Sequence, residues 1–104
     1  MKIFSFNVNG LRARLHQMRA LIDKHSPDII CLQETKVQDS EFPLEELKSF
    51  GLEHIYFSGQ KSYNGVAILS KEPLNNVETH KILDSEDKRH ISAVTKSGIK
   101  IHNF

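Results

Sequence analysis

Cysteine is nearly absent: Cys31 stands alone among 104 residues, so no internal disulfide can form. Set within an apolar run, it reads as a small buried hydrophobe and suits a reducing compartment. Long apolar stretches are missing too. None approaches the roughly 20 residues needed to span a bilayer, and there is neither a basic-then-apolar leader nor a small-residue cleavage pattern. These absences predict a cytoplasmic protein with no membrane partner. The chain also lacks internal repeats, low-complexity stretches and any composition shift that would mark a linker. Its five glycines form neither a dinucleotide-binding nor a phosphate-loop pattern. The histidines (His16, His25, His54, His80, His90 and His102) include no i, i+4 pair within one helix and no dense Cys/His cluster, which argues against zinc.

What is present is a chain sized for one small domain with a thin core. Charge is close to balanced but unevenly spread. Residues 1–36 hold six Lys/Arg against three Asp/Glu, and residues 37–104 hold eight against ten. The basic excess includes Arg12, Arg14 and Arg19, just after the polar segment Asn7–Gly10. A phosphate-bearing partner is one reading of that excess; a solvated face of an amphipathic helix is the other.

Lys2–Val8 mixes β-branched and aromatic residues with small polar ones and stops at the turn signal Asn9-Gly10, which predicts a first strand. Over Leu11–His25 the period changes: Leu11, Leu15, Met18, Leu21 and Ile22 share one helical face, and Ser26-Pro27 closes the element. Asp28–Gln33 is short and apolar, as suits a strand covered on both faces. Strand, helix, strand predicts a right-handed crossover with both strands running the same way. Pro43–Phe50 predicts a second helix capped by Gly51. Five further strands are expected at His54–Ser58, Gly65–Ser70, Asn76–Lys81, Ile91–Lys96 and Ile99–Phe104, with a tight turn at Lys96-Ser97-Gly98 and a solvated loop at Asp84–Arg89.

The crossover brings Asn7 and Glu34 to one edge of the sheet, the carboxyl edge where open α/β sheets bind ligands. An amide and a carboxylate side by side make the beginning of a site for a hard divalent cation. A carboxylate emerging from a buried strand is costly unless something compensates it. For Glu34 the alternative is a capping or salt-bridged acid, and for Asn7 an Asx-turn ahead of Asn9-Gly10.

Three segments in fixed order carry a resemblance. They are Ser5-Phe6-Asn7-Val8-Asn9-Gly10-Leu11-Arg12-Ala13-Arg14, Pro27-Asp28-Ile29-Ile30-Cys31-Leu32-Gln33-Glu34-Thr35-Lys36 and Gly59-Gln60-Lys61-Ser62-Tyr63-Asn64-Gly65-Val66-Ala67. Together they resemble the amino-terminal part of exonuclease III, the abasic-site (AP) endonuclease of the endonuclease/exonuclease/phosphatase superfamily. Residues 1–104 are covered throughout, but they match well under half of that family's domain. The resemblance implies an α/β fold, a partial four-layer α/β sandwich (DNase I-like) with roughly one mixed sheet and flanking helices, truncated at the carboxyl end.

The resemblance also implies a role for each matching residue. Glu34 binds the catalytic magnesium, for which manganese is a substitute, and Asn7 stands beside the metal and orients the carboxylate. Both are taken as catalytic and metal-site residues, with Asn9 behind them. Arg12 is expected as the first nucleic-acid contact and Lys36 as the second. Ser62, Tyr63 and Asn64 are expected to offer hydrogen bonds to phosphate, unless their loop is simply a hairpin of turn formers. Arg89 lines up with a basic position of the family, while Arg14 and Arg19 read as solvated charges. The implied activity is magnesium-dependent phosphodiester hydrolysis in DNA repair, acting as a monomer on double-stranded DNA with abasic sites or 3′ ends. The family's remaining working groups (a tyrosine, an Asp/Asn pair and a closing Asp and His) belong to later motifs outside these 104 residues. The alternative is therefore a truncated, non-catalytic segment that binds nucleic acid weakly. With about one sheet expected, an inner face without a packing partner predicts marginal stability or aggregation.

Overall fold

A computed structural model describes residues 1–79 and 88–104. Strand β1 (Ile3–Asn7) leads through a single 3₁₀ turn (Arg12–Arg14) into helix α1 (Leu15–His25), and β2 (Ile29–Gln33) follows. A second 3₁₀ turn (Asp39–Glu41) and the short helix α2 (Leu44–Lys48) precede β3 (His54–Ser58) and β4 (Val66–Ser70). The remaining strands are β5 (Asn75–Glu78), β6 (Ile91–Val94) and β7 (Lys100–Asn103).

The helix expected over Leu11–His25 is split at its start. Gly10 N–H and Leu11 N–H donate to the carbonyls of Glu34 and Thr35, both at 2.9 Å. The chain there is still tied to the extension of β2, so the regular helix begins only at Leu15. It ends where Ser26 turns left-handed (φ +44°) and donates its N–H to the Ile22 carbonyl, a common helix stop. The strand expected at Asn76–Lys81 occupies Asn75–Glu78, its expected last two residues lying outside the described ones. Of the loop expected at Asp84–Arg89, only Lys88 and Arg89 are described, and both are exposed. The turn at Lys96-Ser97-Gly98 is present: Gly98 N–H donates to the Thr95 carbonyl at 2.9 Å, with Gly98 at φ +92°.

The strands form two sheets. The first is mixed, in the order β1-β2-β4-β3. Its β1 and β2 run parallel with Asn7 opposite Gln33, and its other pairs are antiparallel. The second is antiparallel, in the order β5-β6-β7. Because side chains alternate along a strand, β2 serves two cores. Ile30 and Leu32 pack with Met18 and Ile22 of α1 and with Leu47 and Leu52. Ile29 and Cys31 face the other way, with Val66 and Ile68, onto Leu74, Ile91, Ala93 and Ile101. Burial pushes the Cys31 thiol up to about 11, which makes it an inert packing group.

The mixed sheet with flanking helices is the expected one, and helices, mixed sheet and second sheet are layers of a DNase I-like sandwich. The expectation of an uncovered inner face is corrected. The last three strands do not extend the first sheet; they fold across it, because Ile91, Ala93 and Ile101 recur at alternate positions and present one apolar side. No helix among the described residues is long and apolar enough to cross a membrane.

Candidate active site at the carboxyl edge of the mixed sheet

The parallel pairing of β1 and β2 delivers Asn7 and Glu34 to the same edge. There the Asn7 side-chain amide donates from Nδ2 to Glu34 Oε2. Asn7 Oδ1 meanwhile accepts the N–H of Asn9 at 2.9 Å. The Asx-turn and the carboxylate contact are thus one arrangement: the turn takes the oxygen, which leaves the NH₂ group to face the carboxylate. Asn7 presents a donor, not a ligand oxygen, toward Glu34.

Lys36 completes the group. Its Nζ donates to Asn9 Oδ1 at 2.6 Å and lies 3.6 Å from Glu34 Oε1. The Glu34 side chain is 45% exposed, so this ion pair is screened and worth at most about 1 kcal/mol.

The backbone around these side chains is unusual. Asn9, Glu34, Lys36 and Asn64 all have positive φ, at 47°, 54°, 56° and 56°. For non-glycine residues such conformations cost of order 1–3 kcal/mol each, less for Asn, and they persist only where the surroundings impose them. Here the imposition is visible: besides the bonds from Gly10 and Leu11, Lys36 N–H donates to the Asn64 carbonyl at 2.9 Å. The loop after β2 is thereby held between the end of β1 and the start of β4.

Asn7, Gln33, Glu34, Asn64 and Gly65 line a cleft of about 320 Å³ together with Lys88, Arg89 and Phe104. Glu34 is the one acidic side chain among its described lining residues. Asn64 Nδ2 donates to Gln60 Oε1 at 3.2 Å, and that oxygen also accepts Lys88 N–H at 2.7 Å, which fastens the 60–65 loop to the far wall.

The other anticipated contact residues lie outside the cleft lining. Arg12 pairs with Glu41 at 3.1 Å, both side chains more than half exposed, a partnership weak enough to yield to a phosphate. Ser62 and Tyr63 are exposed at the loop tip. Arg19 is paired with Asp23 at 3.6 Å and lies over the Phe50 ring, which accounts for it as a helix-face charge. Among the described residues no group of three or more His, Cys, Asp or Glu side chains gathers where an ion could be held, although His90 Nε2 and His102 Nδ1 approach to 3.1 Å across the second sheet.

Sequence reasoning missed Gln33, Lys88, Phe104 and the buried Asn103. Asn103 Nδ2 donates to the carbonyls of Leu32 and Ala67, each at 2.9 Å, and its Oδ1 accepts from Gln33 Nε2 at 2.7 Å. One signal was available, since strand alternation puts Asn103 on the same face as Ile101, a polar residue at a core position.

Residues 4–104 match the endonuclease/exonuclease/phosphatase family. The chain is 47% identical to exodeoxyribonuclease III of Haemophilus influenzae over 95 residues, which cover 89% of this chain and 35% of that protein. It is 44% identical over 79 residues to an exodeoxyribonuclease of Bacillus subtilis, covering 71% of this chain and 30% of that one. Among solved structures, an AP endonuclease from Archaeoglobus fulgidus superposes with a TM-score of 0.87 at 42% identity, covering 100% of this chain and 40% of that one. A 3′ phosphatase from Neisseria bound to a product DNA hairpin does so with a TM-score of 0.88 at 38% identity, covering 98% and 40%. The chain therefore spans about a third of the length of these curated relatives.

Proposed function

Because this chain belongs to the endonuclease/exonuclease/phosphatase family, we propose that residues 1–104 are the amino-terminal part of a DNA-repair nuclease domain of the exonuclease III type. Its reaction is magnesium-dependent phosphodiester hydrolysis at abasic sites and 3′ ends. The observation that carries this reading is the hydrogen bond from Asn7 to Glu34 at the mouth of the cleft.

The donor set fits magnesium. That ion dehydrates reluctantly and is held by one or two carboxylates plus water and substrate phosphate, and Glu34 offers one half-exposed carboxylate. Manganese, an equally oxygen-seeking cation, substitutes for it. Glu34 holds the ion, and Asn7 fixes the carboxylate's orientation through Oε2. When bound, the cation polarises a phosphoryl oxygen and offsets charge that builds in the transition state.

The remaining residues of this chain bind and position. Lys36, between Glu34 and Asn9, presents its ammonium to the phosphate backbone. Arg12, Ser62, Tyr63 and Asn64 supply further phosphate contacts, which fix the duplex in register without reading sequence. Water activation falls to segments beyond these residues.

The test is nicking of a duplex that carries one abasic site, using the gene product purified at its native length. Nicking requires Mg²⁺, is stopped by EDTA, and falls to background in Glu34→Ala. Nicking that survives Glu34→Ala contradicts the assignment. The single acidic side chain among the described lining residues favours one other reading, a non-catalytic segment that binds nucleic acid, for which salt-sensitive DNA retention without any nicking is the expected result.

A further inference from the structure

We propose that Asn103 is a positioning residue for the cation site at Glu34, an inference that rests on the reading of that site given above. Asn103 is 2% exposed and lies at the end of β7, between the two sheets. Each of its amide hydrogens and its oxygen is used. The two donated bonds reach the Leu32 carbonyl on β2 and the Ala67 carbonyl on β4, and the accepted one comes from Gln33 on β2.

These three bonds converge on the backbone that presents Glu34. Gln33 immediately precedes Glu34, stands opposite Asn7 in the parallel register, and accepts Val8 N–H at 3.0 Å through its carbonyl. Its side chain also donates to Ser5 Oγ at 3.0 Å. A polar path therefore runs from the second sheet through Asn103 and Gln33 to β1, just before the residue whose amide meets the carboxylate. On the other side, Ala67 belongs to the strand whose approach, Asn64 and Gly65, accepts the N–H groups of Lys36 and Thr35 at 2.9 and 3.3 Å.

Asn103 thus ties β2, which runs directly into Glu34, and its neighbour β4 to the second sheet. A polar side chain buried at this depth is retained at a cost in desolvation that only a full set of partners offsets. Asn103 has the full set, and its partners are strand ends at the site. The packing of the second sheet on the first is already supplied by Ile91, Ala93 and Ile101.

The experiment compares Asn103→Ala, Gln33→Met and Ile101→Val with the unsubstituted chain, using Mn²⁺ alone as the probe. Affinity is read by water-proton relaxation, and folding by the dispersion of the amide spectrum. The Asn7 side-chain NH₂ resonances, recorded without metal, report the orienting hydrogen bond. Removing a residue that orients a metal ligand weakens affinity on the order of tenfold or more. We expect that loss in Asn103→Ala and in Gln33→Met, with the two Asn7 NH₂ protons converging in shift, and neither effect in Ile101→Val, which trims the same strand without touching the path. Should Asn103→Ala fail to fold, Gln33→Met decides, because Gln33 is partly exposed and its loss leaves the bonds to Leu32 and Ala67 in place. If both variants bind Mn²⁺ as tightly as the unsubstituted chain, or Ile101→Val weakens binding equally, the positioning role is overturned while the cation site stands. If the unsubstituted chain takes no Mn²⁺, the cation site itself is overturned and this role with it.

Discussion

Thr35 shows how closely the site loop is packed: its hydroxyl is buried, without a hydrogen-bond partner among the described residues, and faces the place where Gly65 has no side chain. A Cβ on Gly65 would stand 2.1 Å from that oxygen, and Gly65 is at φ +94°. Gly98 has nearly the same φ, +92°, with nothing within 4 Å of its would-be Cβ. The two glycines separate backbone strain from collision. Gly98→Ala should destabilise by about 1–2 kcal/mol, the usual cost of a left-handed conformation. Gly65→Ala should lose a further 1–3 kcal/mol or so for the clash, read as a difference in urea midpoints. Residue-scale chemistry was legible in the sequence where it was local. Asn7 and Glu34 end apolar runs and sit beside turn formers, so their place at a strand end could be read without the fold. Asn103 and Gln33 meet across 70 positions of sequence separation, and no local pattern names that partner.

At the scale of elements, period and punctuation located the strands, but not the sheet to which each belongs. An alternating strand declares one apolar side and says nothing about what covers it. The split start of α1 was hidden for a related reason. The apolar positions at Leu11 and Leu15 suit a continuous helix, while the bonds from Gly10 and Leu11 to the segment after β2 decide otherwise. The second sheet makes a direct claim about energetics, because Ile68 and Leu69 are both 0% exposed on opposite faces of β4. Ile68→Ala and Leu69→Ala should therefore cost similar amounts, about 2–5 kcal/mol each, in chemical denaturation. A cost near zero for Ile68→Ala would mean that β5, β6 and β7 do not cover that face in solution. Strands β1 and β7 are sheet edges, and exposed apolar residues accompany them: Ile3 on β1, with Ile99 and Phe104 flanking β7. Such edges are where further strands or unwanted association would begin.

Most of the described non-glycine residues with positive φ lie at one end of the molecule, Ser26 and Asn76 being the exceptions. The opposite sheet edge holds the left-handed helix stop at Ser26 and the pairing of Lys2 N–H with Asp28 at 2.7 Å, whereas the carboxyl edge holds Asn9, Lys36 and Asn64, all with positive φ, around the half-exposed carboxylate of Glu34, itself at positive φ. Strain concentrated where a carboxylate meets a cleft is the pattern expected of a site whose geometry matters more than its contribution to stability. On the function proposed above, a cation at Glu34 is the claim on which the rest depends. The most direct test is a Mn²⁺ titration of the chain followed residue by residue through paramagnetic broadening of its amide spectrum. Broadening should appear first at Asn7, Asn9, Glu34 and Lys36, spread next to Asn64 across the cleft, and vanish in Glu34→Gln. Broadening centred elsewhere, for instance on the His90 and His102 pair, or broadening at the carboxyl edge that persists in Glu34→Gln, would contradict it.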